Sequence, residues 1–284
     1  MKTSCLIVEG GGFKTGFTAG VLDAFMSGSY KPFQKYIGVS GGSIAMSYFL
    51  SNQYRLCISA MKLLAVDEHF TNFKRTLGEQ GYMDIDFLAK VAGERVPLDL
   101  EKALKESKNH DIYFVATNRK NGQAEYLKPN KQNWIDSLIA SSTLPFVTKG
   151  KHFINGVEYF DGGWSDPLPV KWAYEQGAKE ILVLRTWPKG QRSSQSWVDY
   201  LGSLYFKTSP HLKDTFSNCH KKYNESVDFI ENPPDDLIIE EIAPIKLLKS
   251  GTYSYSPKTL MSDYRYGLDR GLMYIHEKMN RLQQ

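Results

Sequence analysis

The first 50 residues and one later apolar run predict an α/β fold with a mainly parallel central sheet. Ser4-Cys-Leu-Ile-Val-Glu is a short apolar run that Gly10-Gly11-Gly12 breaks, and a helical pattern follows over 17–26. Tyr36-Ile-Gly-Val-Ser repeats the arrangement, leading into the nearly all-apolar stretch 43–50. Two strand–turn–helix units in succession are the signature of parallel strands with helices packed on them. Glu180-Ile-Leu-Val-Leu has the unbroken apolar character of a strand buried on both faces.

The remaining elements follow from period and punctuation. Residues 51–110 read as mostly helical, with breaks at Gly78, Gly81, Gly93 and Pro97, and suit an inserted cap layer. Asp111-Ile-Tyr-Phe-Val-Ala-Thr-Asn returns to strand, and 123–127 can pair with it across Lys120-Asn121-Gly122. A short helix covers 134–141. Residues 153–160, interrupted by Asn155-Gly156, form a hairpin. A helix spans 170–176. Residues 190–231 are polar and aromatic with helical character, ending at Asn232-Pro233-Pro234, and 237–242 is a further strand. Ser256-Pro257 starts the last helix with a cap and a first-turn proline. Leu260, Tyr264, Leu268, Leu272, Ile275 and Met279 give that helix one apolar face.

Composition narrows the function. A net charge of +4 over 284 residues does not call for nucleic acid. Three scattered cysteines and no Cys/His cluster suggest neither a disulfide framework nor a metal site. The N-terminal apolar run is too short for a secretion signal, and no run of about 18 apolar residues exists to span a membrane. The expectation is a cytoplasmic protein, free to rest peripherally on a membrane.

Three motifs carry chemistry. Gly38-Val39-Ser40-Gly41-Gly42 places Ser40 between a strand and a helix, where it is either a nucleophile favoured by the helix N-terminus or a small residue in a tight turn. Glu9-Gly-Gly-Gly-Phe-Lys-Thr-Gly16 fits neither dinucleotide nor phosphate-loop spacing. Its exposed amides can cradle an anion or simply turn the chain, and Lys14 beside them is either part of that cradle or a solvated surface lysine. Asp161-Gly162-Gly163 ends an extended segment, as a carboxylate facing Ser40 or as a plain Asp-Gly turn. All three sit at strand ends, where open parallel sheets bind ligands.

Together these stretches resemble the patatin-like phospholipase family, as do Ala140-Ser-Ser-Thr-Leu-Pro-Phe and Asp166-Pro-Leu-Pro-Val. Glu9 stands where the family usually has Asp, and Lys14 where it has Arg. The resemblance implies a three-layer α/β/α core over 4–190, with a cap at about 51–110 and a helical extension, 191–284, on the same domain. It implies a Ser40–Asp161 dyad without histidine, an oxyanion hole at Gly10, Gly11, Gly12 and Gly41, and support from Lys14. No cofactor or metal is implied, and the substrates are acyl esters of phospholipids or lysophospholipids.

Two alternatives stay open: a Ser-His-Asp esterase acting on soluble esters, and a non-catalytic binder of anionic ligands. The six histidines are His69, His110, His152, His211, His220 and His276, and none lies in a recognisable motif. Trp187, Trp197, Tyr200, Leu201, Tyr205 and Phe206 with Lys189, Arg192 and Lys207 suit either a membrane interface or ordinary core packing. Met61, Leu63, Leu64, Phe70 and Phe73 suit either the wall of an acyl pocket or plain core. Oligomeric state leaves no trace in the sequence.

Overall fold

The computed structural model describes residues 3–66, 90–145 and 152–282. Phe70, Phe73, His69, Gly78, Gly81 and the end of the 140–146 stretch lie outside the described residues. An eight-stranded sheet forms the centre, with β1 at Ser4–Val8, β2 at Lys35–Val39, β3 at Asp111–Asn118 and β4 at Ala124–Leu127. It continues with β5 at His152–Ile154, β6 at Val157–Asp161, β7 at Glu180–Leu184 and β8 at Ile238–Ile242. The order is β5-β6-β3-β2-β1-β7-β8, with β4 on β3. From β3 to β8 every neighbouring pair is parallel; β4, β5 and β6 are antiparallel additions.

Side chains alternate across the central strands, and both faces are covered. Leu6, Val8, Tyr36, Phe114, Leu182 and Leu184 enter one apolar cluster. Cys5, Ile7, Ile37, Val39, Val115, Ile181 and Val183 enter another. This is the strand period of two with burial on both sides, hence the three layers. The first cluster takes in α1 (Thr15–Ser27), α2 (Gly41–Leu50), α3 (Leu56–Val66) and α5 (Trp134–Ser142), beside the short α4 (Leu100–Ser107). The second takes in α6 (Val170–Glu175) and the C-terminal part of α8 (Pro210–Glu231). Between β7 and α8 lies α7 (Trp197–Tyr205).

The last helix, α9 (Pro257–Leu282), lies against α1. Its buried face differs from the apolar series in the sequence. Leu260, Tyr264 and Ile275 are buried, but Leu272 and Met279 are exposed at 46% and 56%. Gly267 makes the contact instead: a Cβ there would lie 1.9 Å from the Phe17 carbonyl oxygen. Across the crossing, a Cβ on Gly20 would lie 2.0 Å from the Tyr264 carbonyl oxygen. Backbones this close leave no room for large side chains. The crossing also brings the Tyr264 hydroxyl to Asp23, to which it donates at 2.6 Å. Of the aromatic set at 187–206, Phe206 is buried and stacks on Phe216, whereas Trp197, Tyr200, Leu201 and Tyr205 face outward.

The register of β3 positions the site. Phe114 and Val115 pair with β2 and with β4, so those two strands lie on opposite edges. Ala116 and Thr117 pair with β4 and β6, so β6 occupies the edge that β2 leaves. Val39 is the partner of Val115, and Asp161 is the partner of Ala116. The residue after β2, Ser40, therefore meets the last residue of β6, Asp161.

Candidate active site

Ser40 caps the N-terminus of α2 with φ 54° and ψ −132°, a left-handed backbone that non-glycine residues adopt only under tertiary constraint. Several bonds supply the constraint. Its N–H donates to the Ser141 hydroxyl at 3.0 Å, and its carbonyl accepts from Ser43 N–H at 2.9 Å. Ser141 in turn donates to the Val115 carbonyl at 2.7 Å and shares a 3.0 Å hydrogen bond with the Ser43 hydroxyl. One buried hydroxyl on α5 thus ties the serine turn to β3.

Asp161 is 3% exposed. Its carboxylate accepts a hydrogen bond from Gly163 N–H at 2.7 Å and lies beside the Ser40 hydroxyl. Its backbone is also held: the N–H donates to Thr143 at 2.7 Å, and the carbonyl accepts from the Thr117 hydroxyl at 2.7 Å. Burial pushes its pKa up to about 7, with the neighbouring Ser40 hydroxyl and the Gly163 N–H opposing the rise.

The glycine loop presses on the serine from the side of β1. A Cβ on Gly10 would lie 2.7 Å from that of Ser40. Gly11 and Gly12 have φ of 138° and 56°, and a Cβ on Gly12 would meet the Thr252 carbonyl oxygen at 2.3 Å. Gly41 opens α2 directly after Ser40, close to the Thr15 hydroxyl, which is buried without a hydrogen-bond partner among the described residues. Thr186 clamps the loop, its hydroxyl donating to Gly10 O at 2.9 Å and its N–H to the Glu9 carboxylate.

Glu9 is the hub of a buried network. It accepts from the Tyr223 hydroxyl at 2.9 Å and faces the Arg185 guanidinium at 3.6 Å. Arg185, fully buried, also donates to Glu241 at 2.6 Å and to Tyr223 at 2.8 Å. Lys14 extends over the Trp187 ring at 3.5 Å. Burial lowers its pKa to about 8, against the pull of Glu9. Ser141, Thr186, Arg185 and Tyr223 lie outside the chemical motifs of the sequence. The signals pointing near them are the stretch at 140–146 and the apolar strand that starts at Glu180 and leads to Arg185 and Thr186.

Ser40 and Asp161 open onto a cavity of about 340 Å³. Its apolar lining includes Ile44, Met61, Leu64, Leu98 and Leu138 from α2, α3, α5 and the chain before α4. Its polar lining includes Ser193, Ser196, Asp199, His220 and Tyr223. His220 Nδ1 is buried without a hydrogen-bond partner among the described residues, and the carboxylate of Asp161 lies beside Ser40 and accepts from Gly163 N–H. Of the other described histidines, His110 bonds Glu106, His152 lies 4.0 Å from Asp136, His276 bonds Asn280 and His211 lies on α8.

The Escherichia coli (strain K12) "Uncharacterized protein YjjU" is 32% identical over 264 residues, covering 92% of this chain and 74% of that protein. Two solved structures align over nearly the whole chain. VipD from Legionella pneumophila does so at TM-score 0.43 and 10% identity, over 98% of this chain and 67% of its own. Human GIVD cytosolic phospholipase A2 does so at TM-score 0.44 and 11% identity, over 99% of this chain and 59% of its own. A "Domain of unknown function (DUF6363)" model matches residues 209–283. The model described as "Patatin-like phospholipase" matches residues 6–174, a span from β1 through the Ser40 turn to past Asp161. The chain therefore belongs to the patatin-like phospholipase family, and this membership supports lipid acyl hydrolase activity.

Proposed function

We propose that the protein hydrolyses carboxylic esters of phospholipids or lysophospholipids with a Ser40–Asp161 dyad. The observation that carries this reading is a buried carboxylate, Asp161, beside the hydroxyl of Ser40, which itself caps the N-terminus of α2. A carboxylate of ordinary pKa is a poor base for a serine proton; one raised to about 7 is better matched. In the proposed cycle, Ser40 Oγ attacks the ester carbonyl carbon and Asp161 takes its proton. The amides of the Gly10-Gly11-Gly12 loop and of Gly41 hold the oxyanion. Collapse of the tetrahedral intermediate breaks the ester bond, and Asp161 returns the proton to the departing alcohol oxygen. Water, deprotonated by Asp161, then attacks the acyl carbon, and the Ser40 oxygen leaves with the proton returned by Asp161.

The cavity lies within the roughly 300–1,000 Å³ range of ligand pockets. Its apolar lining suits an acyl chain and its polar lining the alcohol portion. Lys14 keeps a positive charge near the loop without the planar fork of arginine. We read residues 191–284 as part of the same catalytic unit. β8 joining the sheet and Tyr223 reaching Glu9 support that reading.

A fluorophosphonate probe with mass spectrometry tests the function. The expected adduct is on Ser40, absent in Ser40→Ala, strongly reduced in Asp161→Asn and retained in His220→Ala. Loss of labelling in folded His220→Ala would replace the dyad with a triad. An unlabelled wild type would leave the glycine loop as a ligand cradle without catalysis.

A further inference from the structure

We propose that α7 is a membrane-docking helix that seats the cavity mouth on an anionic lipid surface. The helix is inverted relative to an ordinary amphipathic surface helix. Its large apolar residues, Trp197, Tyr200, Leu201, Leu204 and Tyr205, form one stripe at helical spacing, and all five are 46–68% exposed. Its small and polar residues, Gly202, Ser203 and Asp199, face inward. Gly202 lets α7 lie directly on α8, since a Cβ there would meet the Phe216 ring at 2.4 Å. A reciprocal Ser196–Asp199 capping box fixes the first turn. The outward stripe is thus held by a rigid inner face.

Three features select a lipid surface as the occupant. Two tyrosines and a tryptophan with two leucines match the membrane–water boundary, where amphipathic rings span apolar and wet layers. The charge around the stripe is mainly basic: residues 187–214 contain Lys189, Arg192, Lys207 and Lys213 against two carboxylates, buried Asp199 and exposed Asp214. Arg192 is engaged with Asp228 and Glu231, while Lys189, Lys207 and Lys213 are exposed. That balance complements anionic headgroups. The stripe also adjoins the cavity, whose wall includes Ser196 and Asp199 from the first turn of the same helix. A bilayer seated on α7 would lie at the mouth that leads to Ser40. This assignment deepens the lipid-hydrolase reading and rests on it for the fate of the lipid.

The test is co-sedimentation of the full chain with phosphatidylcholine vesicles, with and without 30% phosphatidylglycerol, at low and high salt. It is carried out in the Ser40→Ala background so that binding is read without turnover. The parent should bind anionic vesicles with a blue-shifted tryptophan emission. Trp197→Ala/Tyr200→Ala/Tyr205→Ala should weaken binding by about tenfold or more. Lys207→Gln/Lys213→Gln should weaken binding to anionic vesicles alone. In the Ser40 background, the aromatic triple variant should lose vesicle hydrolysis and keep turnover of a water-soluble short-chain ester. Absence of vesicle binding by the parent, or equal binding by the triple variant, overturns the proposal. So does a dimer that the triple variant dissociates while vesicle binding persists, which would make the stripe a contact between copies of the chain. Vesicle binding without any ester hydrolysis would remove the hydrolase reading and leave the docking surface standing.

Discussion

Asp161 places the catalytic proposal and a stability cost on one side chain. Its pKa is about 7 in the fold against 3.8 for an ordinary aspartate, so the folded protein retains a proton that the unfolded chain has released between those values. The contribution of this group to stability should therefore fall as pH rises from about 4 to 7, by at most about 4 kcal/mol. Under the proposed dyad, activity should move the opposite way, because only ionised Asp161 can accept a proton from Ser40. Asp161→Asn should abolish ester turnover and raise the thermal midpoint at pH 8, with the gain disappearing below pH 4. Paired pH–rate and thermal-melt series check this; an equal midpoint shift at pH 8 and pH 3.5 would reject burial of the charge as its cause. Ser40, Asp161 and the glycine loop are legible in the sequence because each lies within a few residues of diagnostic glycines. Ser141 falls in the 140–146 stretch, but its bond to Ser40 is not legible there, because it spans 101 positions. Tyr223 reaches Glu9 across 214, and no local pattern encodes such a partner.

Element identities follow the sequence closely because strand and helix periods are local, but the helix faces do not always do so. The α9 pattern ranks Leu272 and Met279 with the buried positions, yet both are exposed and Gly267 occupies the contact. Apolar periodicity assumes that a helix docks through its side chains, whereas α1 and α9 meet through backbone. The consequence is measurable. Gly20→Ala and Gly267→Ala each drive a Cβ to about 2 Å from a backbone carbonyl oxygen that cannot turn aside. Each should cost about 1–3 kcal/mol or more by overpacking, despite alanine's better helix propensity. Gly93→Ala has open space around its added methyl and should be neutral or slightly stabilising. Urea midpoints of the three variants provide the comparison, and three similar values would contradict the close crossing.

The whole molecule closes its site with residues far from the catalytic motifs. β8 extends the sheet beside β7, Tyr223 and Glu241 meet the Glu9–Arg185 pair, and Thr252 accepts from Phe13 N–H at 3.4 Å. Tyr255 stacks on Phe13 at 3.6 Å, and Tyr253 faces the cavity. These contacts all converge on the loop between β1 and α1. That convergence was hidden in the sequence, where the tail reads only as helices and one strand. A fragment ending at residue 190 would retain Ser40 and Asp161 but lose α9 from α1, leave Arg185 without Glu241 and Tyr223, and open the glycine loop to solvent. A buried guanidinium deprived of two of its partners is costly, and the stripped face of α1 is apolar. The 1–190 fragment should therefore show no cooperative melt and no fluorophosphonate labelling, although it contains the whole 6–174 family match. In the full chain, Tyr223→Phe removes the donor to Glu9 and the acceptor for Arg185 while preserving the ring. It should keep the cooperative melt at a cost of about 1–3 kcal/mol and slow labelling of Ser40. A fragment that melts cooperatively and labels at the full-length rate would show that residues 191–284 do not hold the site in place.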